Sequence, residues 1–104
     1  MTPTVESVPL PAIPDDVRAF AAERGAADYL DPLLDLARRC FPGASLHVFL
    51  EEDMEIAGWW FIVIEVDVAG WDTDRITAAY DRWTPAKVAM CPPAVRECFV
   101  LGWR

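Results

Sequence analysis

Apolar residues dominate the stretch from Gly58 to Val68, Gly-Trp-Trp-Phe-Ile-Val-Ile-Glu-Val-Asp-Val. β-Branched and aromatic side chains of this kind suit a pleated, half-buried surface. At period two, Trp60, Ile62, Ile64, Val66 and Val68 share one face; Trp59, Phe61 and Val63, then Glu65 and Asp67, share the other. The first face is wholly apolar and the second is apolar for half its length. A strand solvated on one side carries less. The pattern predicts a strand that needs cover on both sides, with Trp60 in the core.

Upstream, Leu46, Val48 and Leu50 alternate with Ser45, His47 and Phe49, which predicts a strand over Ala44–Glu51. The polar run Glu51-Glu52-Asp53-Met54-Glu55 reads as a turn, so the two strands form a hairpin. Setting Leu50 opposite Trp60 makes the apolar faces coincide. It also puts His47 and Phe49 beside Trp59, Phe61 and Val63, so the second face is aromatic across two strands.

The helical signals flank this hairpin. Asp15 and Asp16 offer a cap and a negative first turn, and Val17, Phe20, Ala21 and Arg24 follow at helical spacing before Gly25. A second helix carries the stripe Tyr29, Leu30, Leu33, Leu34, Leu36, Ala37, Cys40 and Phe41. Asp28 or Asp31 caps it, Pro32 is tolerable only near its start, and Pro42-Gly43 ends it. A third helix begins at Asp72 or Thr73 with Ile76, Ala79, Tyr80 and Trp83 on one side. Pro85 either kinks it or starts another helix with Thr84 as cap. After Pro92-Pro93 and a turn at Ala94–Glu97, Cys98–Trp103 reads as a short last strand.

The order ααββαβ is that of an α+β domain, a three-stranded sheet packed on helices. The last strand lies either beside Gly58–Val68 after a crossover or beside Ala44–Glu51. Residues 1–14, with Pro3, Pro9, Pro11 and Pro14, read as a proline-rich tail ahead of a single domain over residues 15–104. Val8, Leu10 and Ile13 give that tail the means to lie against a neighbouring subunit.

Composition narrows the function. The net charge is −8 and the pI about 4.4. Duplex nucleic acid and anionic membrane need clustered Lys and Arg, so neither is an expected partner. Cys40, Cys91 and Cys98 are odd in number and irregularly spaced, which is no disulfide framework. They read as reduced packing residues of a cytoplasmic protein. No continuous apolar run of about 18 residues is present, so no membrane span is expected.

Candidate chemistry is sparse. His47 is the single histidine, and Glu65 lies diagonal to it in the expected register. A carboxylate-oriented imidazole is a general-base pair, but it lacks a nucleophile and an oxyanion donor here. Glu51, Glu52, Asp53 and Glu55 are oxygen ligands without calcium-loop spacing, and they read as a solvated hairpin tip. No metal site, cofactor motif, phosphate loop or nucleophile elbow is expected, and an enzyme is disfavoured. Trp59, Phe61 and Phe49 are able to stack on bases, but such platforms are basic and this face ends in Glu65 and Asp67. A protein–protein surface, which favours aromatics, fits better. The expected function is an interaction module, homodimer or accessory subunit, contacting itself or a partner protein through Phe49, Trp59, Phe61 and Val63. The alternative is a small-molecule binder or minor enzyme around His47 and Glu65.

The block Arg39–Val68, opening Arg-Cys-Phe-Pro-Gly-Ala, resembles a group of small bacterial proteins of unknown function. Tyr-Asp-Arg-Trp at 80–83 and Pro-Pro-Ala-Val-Arg at 92–96 fit the same resemblance. Small proteins of that kind can accompany toxin-type partners, so the resemblance implies a partner protein. It assigns no site residue.

Overall fold

The computed structural model describes residues 11–104. The elements are α1 (Asp15–Glu23), a 3₁₀ turn (Ala27–Tyr29), α2 (Leu30–Cys40), β1 (Ser45–Glu52), β2 (Trp60–Asp67), α3 (Thr73–Met90), a single turn α4 (Pro93–Arg96) and β3 (Phe99–Trp103). This is the expected α+β architecture. The sheet order is β1-β2-β3, with β1 antiparallel and β3 parallel to the central β2. The placement of the last strand beside β1 is thereby excluded.

The strands pair with a register two residues from the expected one. Leu50 faces Ile62, Val48 faces Ile64 and Leu46 faces Val66. A shift by two preserves which side chains share a face, whereas a shift by one would invert them. The cause lies in the turn. The Asp53 carboxylate accepts from the Glu55 and Ile56 N–H groups at 2.7 and 3.0 Å, and Glu52 Oε2 accepts from the Gly58 N–H at 2.7 Å. Asp53 N–H then donates to Trp59 C=O at 2.7 Å, which locks the hairpin. Gly58 has φ +81°, a value that disfavours any residue with a Cβ.

Two expected caps are corrected. Helix α1 starts after Pro14 and α2 after Tyr29, and neither cap residue uses its side chain. Asp16 instead accepts from the Val17 N–H at 2.8 Å. The 3₁₀ turn leads straight into α2, so Asp28 never reaches a capping position. Asp72 does cap α3, accepting from Arg75 N–H at 2.7 Å. That helix runs unbroken through Pro85, so no second helix starts at Thr84. An interior proline costs about 3 kcal/mol in an isolated helix. Packing on both sides of it offsets that cost: Trp83 is buried, and Ala86 and Met90 lie against the core.

The core has one side only. Leu46, Val48, Ile62, Ile64, Val66, Val68, Phe99 and Leu101 join Val17, Phe20 and Ala21 of α1, the α2 stripe, and Ala79 and Trp83 of α3 in a single cluster. By strand alternation, all of those sheet residues lie on one face. Every helix therefore packs on that face. An aromatic column closes one end: Trp71 stacks on Phe41 at 5.9 Å, and Tyr80 meets Phe41 and Trp103 edge-on at 6.3 and 5.1 Å. Trp60, expected in the core, is instead 41% exposed at the other end, where it borders a concavity with Arg24, Ala94 and Glu97. No polar or charged residue is buried among the described residues. Ile13 packs against the core, while Val8 and Leu10 lie outside the described residues.

Candidate functional site

The second face of the sheet holds the side chains singled out from the sequence. Phe49 faces Val63 and Glu51 faces Phe61 across β1 and β2, and Val63 faces Val100 across β2 and β3. Trp59 stands just ahead of β2, on the same side. Val63 is 6% exposed yet belongs to no helix-packed cluster. Its cover comes from its sheet neighbours, including a bare Gly102 whose added Cβ would sit 3.6 Å from Val63 Cγ1. Phe49 and Phe61 are half-buried against one another's neighbours, and Trp59 and Val100 are each 42% exposed.

The face divides into two halves. Trp59, Phe61, Phe49, Val63 and Val100 make an apolar half toward the hairpin turn. His47, Glu65, Asp67 and Arg104 make a polar half at the opposite end. His47 sits directly opposite Glu65 rather than diagonal to it. Glu65 Oε1 instead accepts from Arg104 Nη1 at 3.2 Å. The C-terminal arginine as Glu65's partner was hidden from the sequence, because it depends on β3 lying parallel to β2.

Neither notable concavity includes His47 or Glu65. One, about 340 Å³, is an open dish at the hairpin tip lined by Glu51, Asp53, Met54, Glu55 and Phe61. The other, about 210 Å³, lies where Trp59 and Trp60 meet Arg24, Ala94, Glu97 and Cys98. The acidic tip residues work as turn formers, through the Asp53 and Glu52 bonds above. No grouping of three His, Cys, Asp or Glu side chains suited to a metal ion occurs among the described residues.

The titratable groups with displaced pKa values all lie on or under the helical side. Burial pushes the thiols of Cys40, Cys91 and Cys98 up, so they stay protonated, and all three are free. Thiols held so are poor nucleophiles. Burial also raises Tyr80 and lowers Lys87. Both side chains tie α3 to the backbone of β3. Tyr80 Oη donates to Leu101 C=O and Lys87 Nζ to Phe99 C=O, each at 2.7 Å.

Two exposed features escaped the sequence reading. Met54 and Ile56 at the hairpin tip are 99% and 56% exposed. Together with Trp59 and Trp60 they extend the apolar surface around the end of the hairpin. The signal was present as apolar residues inside an acidic turn.

Comparison of the chain with protein-family models, with curated proteins and with solved structures gives no match. No helix among the described residues is long and apolar enough to cross a membrane.

Proposed function

We propose that this chain is a protein–protein interaction module, an accessory subunit that offers the apolar half of its second sheet face to a partner protein. The observation that carries the reading is the lopsided core: every helix packs on one face, while Trp59, Phe61, Phe49, Val63 and Val100 cluster on the other. Contiguous apolar surface of this kind on a small protein marks a contact site. Aromatic anchors inside a polar rim are the usual anatomy of one.

The rim describes the partner. Glu51, Asp53 and Glu55 border the apolar half at the hairpin tip, and the chain as a whole carries −8. A partner with an apolar centre and basic margins is complementary, and attraction across the margin speeds encounter. The three protonated, buried thiols support a place in a reducing compartment, the cytoplasm.

Site-specific photocrosslinking tests this. Benzoylphenylalanine replaces Phe61 in one version of the chain and Ala78, exposed on α3, in another. Irradiation in the cells that make the protein is expected to give discrete adducts from position 61 and none from position 78. The same adducts from both positions, or none from position 61, overturn the proposal.

A further inference from the structure

The two edges of the sheet are finished differently, and the difference points to a second partner surface. On either side of β3, Cys98 C=O accepts from Ile62 N–H, and Arg104 donates its N–H to Val66 C=O and accepts at its C=O from Val68 N–H. Even-numbered residues of β3 therefore face β2, and Phe99 and Leu101 turn their backbone outward. Helix α3 closes that outward edge with Lys87 on Phe99 C=O and Tyr80 on Leu101 C=O.

On β1 the Asp53–Trp59 bond fixes the opposite parity. Ser45, His47, Phe49 and Glu51 face β2. Leu46, Val48, Leu50 and Glu52 turn their N–H and C=O groups outward, and no donor or acceptor among the described residues meets those groups. An eight-residue strand thus ends in an open ladder. Proteins commonly blunt such an edge with proline, a bulge, an inward charge or a covering element. Here Ser-Leu-His-Val-Phe-Leu-Glu-Glu has no proline and no inward charge before Glu52.

We infer that β1 pairs antiparallel with β1 of a second copy, with the two Phe49 residues facing each other on the two-fold axis. This goes beyond the proposed face contact, because it rests on backbone groups that the face does not use. Three features select the second copy and this register. The strand is self-complementary when Phe49 lies on the axis: Val48 meets Leu50, and the His47 imidazole meets the Glu51 carboxylate, a polar pair repeated on each side of the axis. All of Ser45–Asp53 is then paired, which supplies on the order of eight backbone hydrogen bonds. The tail is a poorer occupant, since its proline-free run between Pro3 and Pro9 is shorter than the edge. The product is a continuous six-stranded sheet, with the two apolar faces side by side as one platform.

Sedimentation and disulfide trapping of the full chain test this. Wild type is expected at twice the chain mass of 11.7 kDa. Val48→Pro removes an N–H that bonds nothing among the described residues, and the mass is expected to halve. Phe49→Cys places two thiols across a non-hydrogen-bonded pair, about 4.5 Å between Cα atoms and inside the disulfide range of about 4.4–6.8 Å. It is expected to form an intermolecular disulfide under air, whereas Val100→Cys on the same face is not. If Val48→Pro unfolds, Leu50→Lys repeats the mass test and the Phe49→Cys trap stands by itself. A monomeric wild type, as results if residues 1–10 occupy the edge, overturns the inference. So does a dimer that survives Val48→Pro, or equal trapping at positions 49 and 100. Phe61→Glu, a change on the sheet face and away from the β1 edge, leaves the mass at two chains, which separates this from the face contact.

Discussion

The two faces of one sheet are built from nearly the same kinds of side chain and have opposite fates. Ile62, Ile64 and Val66 are 0% exposed beneath the helices, and Trp59 and Val100, on the other side, are each 42% exposed. The difference is not hydrophobicity. It is that α1, α2 and α3 all carry their apolar stripes to the same side, and no helix among the described residues covers the other. Burial is thus a property of topology, with the residues only permitting it. The apolar face under the helices serves stability, and the other is the face that the proposed contact uses.

The sharpest break of that comparison is a pair of substitutions three residues apart on β2. Ile64→Ala removes a fully buried side chain and is expected to cost about 2–5 kcal/mol in urea unfolding. Phe61→Glu, on the opposite face, is expected to cost about 1 kcal/mol or less with the far-UV spectrum unchanged. Equal costs would mean that the second face is as much core as the first. The pH response belongs to the roofed side as well. Burial raises the thiols of Cys40, Cys91 and Cys98 above their ordinary 9.0, and Tyr80 above 10.0. The unfolded chain releases those protons first, so the stability they carry is whole below pH 9.0 and falls as the pH climbs through the folded values. Lys87 opposes this: burial lowers its pKa, so its cost to the fold is present in the protonated form and fades as the pH rises toward 10.5. The thiols and Tyr80 predict an unfolding free energy that falls as the pH climbs above 9.0, and Lys87→Met, which removes the opposing group, is expected to steepen that fall. Alanine at the three cysteines is expected to flatten that fall.

A smaller effect probes the edges. Tyr80→Phe removes the donor to Leu101 C=O and is expected to cost about 0.5–1.5 kcal/mol. It also leaves a second sheet edge partly open, so self-association that grows beyond two copies is the accompanying readout. Loss of stability with no change in mass would mean that the bond anchors α3 without guarding β3.

Much of this was legible beforehand. The two faces of the hairpin follow from period-two alternation, which survives any even shift of register. The register itself did not, since Asp53 and Glu52 set it by bonding backbone groups within the turn. Trp60 misled because its parity is that of the core, while its place as the first residue of β2 leaves it at the rim of the sheet. The apolar half of the site was visible as Phe49, Trp59, Phe61 and Val63. Val100 and Arg104 were not, because their place on that face requires knowing that β3 runs parallel to β2. The asymmetry of the two edges was equally out of reach, as it needs the parity of the ladder and the reach of Tyr80 and Lys87.

The smallest expected effect concerns the polar half of the second face. Arg104 pairs with Glu65 at 3.2 Å, but its side chain is 62% exposed against 21% for Glu65. An ion pair so open to water contributes about 0.2–1 kcal/mol. Arg104→Ala is therefore expected to lower stability by no more than that, and the difference from wild type to vanish in about 1 M salt, where screening acts within about 3 Å. A loss of several kcal/mol that persists in salt would make Glu65 a buried charge dependent on its partner. The polar half would then belong to the fold, and the contrast between roofed and open faces would hold for the Trp59–Phe61 half alone.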